Sequence, residues 1–213
     1  DLQGVWDFRT ITPMERPRDL ADQEFLSPEE AASRNQAAAE RNDQLAARPA
    51  RRTQIDPSGN VDQGEDGAPG SYNQFWFDRG SAVVGTRRTS LIVDPPNGQL
   101  PDYTAEGRAR RAARAAARER NAGPEDRDID ERCILGFNSG PPMIPGAYNN
   151  LVHIFQAPGY VVVMNEMVND VRVIPLDGRD PIPSHIQQWR GDSRGWWEGE
   201  TLVVETRNFR DIG

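Results

Sequence analysis

The sequence predicts a mainly β protein, an antiparallel meander forming a barrel or strongly curved sheet, with two helical insertions. Three observations carry this prediction. The stretch "NNLVHIFQAPGYVVVMNEMVNDVRVIPLDG" holds three apolar runs separated by Pro158-Gly159 and Asn169-Asp170, both favoured turn pairs. Hydrophobic residues make up only 36% of the 213-residue chain, which also holds 19 glycines and 17 prolines. That balance suits a β-rich body with long polar excursions better than a helical bundle. Helix-start signatures occur at two places only, after Ser27 and after Thr104, each between strand-like segments.

Taken in order, "DLQGVWDFRTITP" reads as a first strand from Leu2 to Thr10, stopped by Pro13. Ser27 is placed to cap a helix, with Pro28 in its first turn and Glu30 where a capping box needs it. That helix should end before Pro49, and "RRTQIDPSGNVDQGEDGAPGSYN" follows as a polar surface loop. From about Arg52 to Gly70 almost no apolar residue anchors it, so it should be the least tightly held part of the chain. Strand character resumes in "YNQFWFDRG" and "RTSLIVDPPNG". A second helix starts at the Thr104 cap and stops at Asn121-Ala-Gly-Pro. At 100° per residue, Arg110, Arg111, Arg114 and Arg118 form one stripe, with Ala109, Ala112, Ala113 and Ala116 opposite. The arginine stripe reads as a solvated outer face over a small-residue underside.

The meander should comprise strands Leu151–Gln156, Tyr160–Val168 and Val171–Leu176, joined by two-residue turns. "GDSRGWWEGETLVVET" then reads as a hairpin with Glu198-Gly199 at its tip. That register places Trp197 beside Glu200 and Trp196 opposite Thr201. Trp197 shares the core face with Leu202 and Val204, while Trp196 points to the other side. The organisation expected is one β-rich domain over 1–213, with insertions at about 27–70 and 104–123. A last strand without a following partner suggests a chain incomplete at its C-terminus.

Composition narrows the function classes. A net charge of −8 and an acidic isoelectric point argue against general affinity for nucleic acid or anionic membrane. All 25 basic residues are arginine, which favours geometrically defined ion pairs, although coding bias explains the same count. No run approaches the roughly 20 apolar residues of a membrane span. The chain opens on Asp1 rather than Met, as after removal of a secretory signal, or after trimming. The expected setting is secreted or periplasmic. The lone Cys133 is expected to be unreactive, through burial or through pairing outside this sequence.

The sharpest chemical constellation is His153 with Glu166. With two-residue turns, His153 faces Met164, Leu151 faces Glu166, and Glu166 also faces Val173. A carboxylate among Leu151, Met164 and Val173 would be partly desolvated and, beside a histidine, would form a proton-transfer pair. A solvated sheet face is the competing reading, and a one-residue slip destroys the pair. The aromatic inventory points instead to binding, with Trp189, Trp196, Tyr148 and Arg172 as candidate ligand contacts. Asp170 and Arg172 also read as turn and ion-pair residues. Only two histidines exist, outside any spaced ligand motif, so no metal is expected, and no cofactor motif appears.

Together, "ERCILGFNSGPPMIPGAYNN", "NEMVNDVRVIPLDGR" and "QQWRGDSRGWWEGETLVVETRNF" resemble a broad family of secreted bacterial β-rich proteins. The resemblance covers "GVWDFRTITPMERP" and most of residues 72–209. It implies no particular activity. It does imply further strands and a second cysteine, a partner for Cys133, beyond this end. A fainter likeness to lipocalin-type barrels rests on Gly4-Val5-Trp6 and the meander. Three function classes follow. One is a barrel binding a small apolar or aromatic ligand. Another is a cofactor-independent lyase, isomerase or hydrolase using Glu166 and His153. The third is an extracellular subunit that self-assembles, as a homo-oligomer or larger assembly.

Overall fold

In the computed structural model, residues 1–20, 22–47, 77–140 and 143–210 are described. The chain divides into two compact units. The first comprises Asp1–Phe8, Asp102–Ile144 and Asn149–Gly213, and the second Arg9–Pro101 and Pro145–Tyr148.

The first unit is built on the meander. Strands β1 (Gly4–Asp7), β2 (Leu151–Ala157), β3 (Tyr160–Asn165) and β4 (Asp170–Pro175) form an antiparallel sheet in that order. Pro158-Gly159 makes the expected two-residue turn, with Gly159 at φ +78°. His153 therefore faces Met164, as the sequence predicts, and Phe155 faces Val162. The second turn differs. Strand β3 stops at Asn165, which pairs with Asp170, and four residues span the turn. Asn165 explains the early stop. It is buried, its Oδ1 accepts from the Met167 amide at 3.0 Å, and its Nδ2 donates to the Asn138 carbonyl at 3.2 Å. Met167 is buried beside Gly136, and Val168 and Asn169 take left-handed conformations to complete the reversal. Val173 consequently faces Val162, not Glu166, which corrects the predicted register.

Alternation gives the sheet one buried face and one open face. Val152, Val161, Asn165, Asp170 and Ile174 are buried, while Val5, Phe155, Val171 and Val173 on the opposite side are exposed.

Strands β5 (Asp192–Glu198) and β6 (Thr201–Arg207) form the expected hairpin, with Gly199-Glu200 rather than Glu198-Gly199 at its tip. Gly199, at φ +61°, occupies the first tip position, where a tight hairpin needs a positive φ. Trp197 pairs with Leu202 and Trp196 with Val203. The shift of two residues preserves every face assignment. Burial does not follow as predicted, because Trp196 and Trp197 are 41% and 39% exposed and neither is a core residue. The packed end lies at Ser193 and Gly195, both buried. A Cβ on Gly195 would sit 2.7 Å from Ile174 Cγ2 and 2.9 Å from Leu176 Cδ2, so glycine lets the hairpin lie against β4.

The second predicted helix is α2 (Ala105–Arg120), capped by Thr104 and ended by a left-handed Asn121. None of its residues is buried, so the alanine face is not the docking face. The arginine stripe is solvated as expected, with Arg110, Arg111 and Arg118 exposed, and Arg114 and Arg118 also reach Asp128.

The second unit holds α1 (Pro28–Ala46), whose capping box between Ser27 and Glu30 forms as predicted. Ala31, Ala38 and the preceding Leu26 are buried. "RTSLIVDPPNG" makes no strand. Leu91 and Ile92 donate to the carbonyls of Pro13 and Met14, but prolines 13, 95 and 96 lack the N–H groups a ladder needs. The loop expected at 52–70, and most of "YNQFWFDRG" including Trp76, lie outside the described residues. Among the described residues the strands make two open sheets and no closed barrel, and no helix is long and apolar enough to cross a membrane.

Candidate functional site

The first unit contains a recess of about 640 Å³ lined in part by Trp189. Its position is set by backbone bonds. The Gln188 amide donates to the Asn208 carbonyl at 2.9 Å, and the Gln188 carbonyl accepts from the Arg210 amide at 2.8 Å. Asn208 sits at φ +56° and its Nδ2 donates to the Ile182 carbonyl at 2.8 Å. These bonds bring the Trp189-Arg190 pair beside Phe209-Arg210. The Arg210 guanidinium lies 4.6 Å from the Trp189 ring centre, and Arg132 approaches the same ring at 5.9 Å.

Arg172 enters from β4. Its Nη1 donates to the Arg190 carbonyl at 3.0 Å and to Ser193 Oγ at 3.1 Å, and its Nη2 donates to the Gly140 carbonyl at 2.6 Å. Arg190 pairs with the buried Asp170. Arg114 and Arg118 both reach Asp128 Oδ1, at 2.9 and 2.5 Å. Those two arginines, Arg118 foremost, hold the Asp128 carboxyl below the usual carboxylate range. Leu135, Phe137 and Phe209 add apolar wall. A smaller recess of about 350 Å³ adjoins and shares Trp189, Arg210 and Asp128.

The charges in this recess are unequally compensated. Arg114, Arg118 and Arg190 each engage a carboxylate. Among the described residues Arg172 engages two carbonyls and a hydroxyl only. Burial, with no opposing carboxylate effect, pulls its pKa below the usual guanidinium value. A guanidinium has five N–H donors, and three bonds leave capacity for an incoming acceptor. Chemically, the recess offers an aromatic plate, apolar wall and a half-buried cation.

Of the predicted ligand contacts, Arg172 and Trp189 come together here. Trp196 lies on the hairpin's other face, with Nε1 donating to Glu198 at 2.8 Å. Tyr148 belongs to the second unit, edge-on to Phe77 with ring centres 6.2 Å apart. The expected ion-pair role suits Asp170, which sits in β4 rather than in the turn. His153 stacks on Phe155, ring centres 3.8 Å apart, on the open sheet face. Glu166 is exposed in the turn and accepts from the Leu151 amide at 3.2 Å, not enclosed among Leu151, Met164 and Val173. No hydrogen bond joins His153 to Glu166 among the described residues. No group of three or more His, Cys, Asp or Glu side chains there is placed to hold a metal ion.

Cys133 departs from expectation. It is exposed, at φ +56° in a turn, which corrects the expected burial, and it pairs with no cysteine of this sequence. One equivalent of a thiol reagent should therefore label the native protein rapidly without denaturant, read as a single mass increment; protection until unfolding would contradict this exposure.

The recess residues that the sequence reading missed are Arg114, Arg118, Asp128, Arg190 and Arg210. The i, i+4 spacing of Arg114 and Arg118 was a visible signal, as was the repeated aromatic-arginine pattern at Trp189-Arg190 and near Phe209-Arg210. No protein-family model matches the chain, and no curated protein or solved structure matches it either.

Proposed function

We propose that the protein binds a small ligand with an aromatic or apolar body and an acid group, in the recess around Trp189. One observation carries this reading: the half-buried Arg172 guanidinium has no carboxylate partner among the described residues and lines the same recess as Trp189. A ligand acid would supply the missing countercharge through charge-assisted hydrogen bonds, and the ring would cover the apolar wall. The acid group narrows the apolar or aromatic ligand expected from the sequence. The reading needs no barrel interior, and it keeps the secreted or periplasmic setting as part of the proposal. Self-assembly has one observation of its own, the exposed apolar face bearing Val5, Phe155 and Val173.

Calorimetric titration with naphthoate and its neutral amide, naphthamide, tests the reading. Naphthoate should bind at least about ten-fold more tightly, because the amide cannot satisfy a cation. Arg172→Met should remove that preference while leaving the naphthamide affinity near its original value. Equal affinities in the parent protein would sink the proposal.

A further inference from the structure

We infer that the second unit carries a separate binding site for an amphiphilic anion, an acid group on an apolar chain, seated between α1 and the 10–13 and 80–83 segments. The space is a recess of about 560 Å³, within the range of small-molecule sites. Helix α1 is held along it by two side-chain bonds. Asn35 Oδ1 accepts from the Val83 amide at 2.9 Å, and Asn42 Nδ2 donates to the Gly80 carbonyl at 3.3 Å. With those asparagines turned to the wall, Arg34, Ala37, Ala38 and Arg41 line the recess from one helical stripe.

The lining divides by chemistry. Ile11, Leu20, Leu26 and Val83, with the two alanines, supply an apolar floor. The hydroxyls present are occupied: Thr10 Oγ1 donates to the Ala82 carbonyl, Thr12 Oγ1 accepts from the Val84 amide, and Thr89 Oγ1 donates to the Gln23 carbonyl. Recognition of a polar head therefore falls to Arg34, Arg41, Arg79 and Arg88. No carboxylate lines the recess among the described residues. Arg79 lies 4.1 Å over the Phe77 ring, and Arg88 is fixed by Glu24 and by Phe25 at 4.8 Å. Arg34 and Arg41 are exposed and engage no carboxylate among the described residues. They stand two turns apart, about 10 Å along the helix, so their long stems can converge on one head group. Apolar floor and cationic rim together select a ligand that is apolar along its length and anionic at one end.

Calorimetry with decanoate, below its micellar range, tests this against decanol, which has the same chain and no charge. Decanoate should bind at least about ten-fold more tightly than decanol. Arg34→Gln/Arg41→Gln should weaken decanoate about ten-fold with an unchanged circular dichroism spectrum, since neither side chain holds the fold. Because decanoate also suits the Trp189 recess, the comparison is repeated in the Arg172→Met background. There decanoate should still bind and Arg34→Gln/Arg41→Gln should still weaken it about ten-fold, which separates this site from the Trp189 recess. Absence of decanoate binding overturns the inference, as does equal affinity for decanol. So does an Arg34→Gln/Arg41→Gln protein that binds decanoate as the parent does.

Discussion

Replacing Gly195 with leucine is expected to cost about 3 kcal/mol of stability, near the upper end for overpacking a core position. The side chain would project from β5 into β4, where even a Cβ would meet Ile174 at 2.7 Å and Leu176 at 2.9 Å. Ile174 is only 1% exposed, and a close-packed interior gives little room for it to shift. Ile174→Ala alone should cost about 2–4 kcal/mol through the cavity it leaves. In the double variant each change relieves the other, so the combined loss should fall short of the sum by about 1 kcal/mol or more. Urea denaturation of the four proteins reads all of this. An additive double variant would show that the hairpin and β4 do not pack through this pair.

Asp128→Asn is expected to raise the opening of α2 about ten-fold, read as faster amide hydrogen exchange across Ala105–Arg120. An isolated 16-residue helix is marginal in water, and α2 buries none of its residues. Its attachments are ionic, Arg114 and Arg118 on Asp128 and Arg120 on the buried Asp126. Exposed pairs of this kind weaken with salt, so molar salt should reproduce part of the effect. The pH dependence has a definite sign. Both carboxyls are lowered in the fold, so their contribution is fully present above the ordinary carboxylate pKa. It is lost as pH falls through the lowered folded values. Docking should therefore hold across the neutral range and fail only in acid. Exchange in α2 indifferent to salt and to Asp128→Asn would mean that the helix is held by other contacts.

These two expectations rest on features of different legibility. The meander was readable because period-two alternation and Pro158-Gly159 together leave one register for β2 and β3. The next turn was not. Asn169-Asp170 has the composition of a tight turn, whereas the chain reverses earlier because Asn165 hooks the Met167 amide and the distant Asn138 carbonyl. Periodicity located the arginine stripe of α2 but could not say which face docks, since the deciding Asp128 lies beyond the helix. The tryptophan hairpin kept its faces because its register slipped by an even number of residues. Arg172 and Trp189 were individually visible as candidates. Their meeting depends on pairing of the 188 and 209 segments and on packing of β4 against the hairpin, neither of which local pattern encodes.

The most direct measurement is the position of a bromine-labelled naphthoate, located by anomalous scattering in crystals soaked at saturating concentration. A bromine site over Trp189 is expected, with the carboxylate on the remaining donors of Arg172. A ligand-free Trp189 recess at saturation, with Arg172 facing solvent, would contradict it.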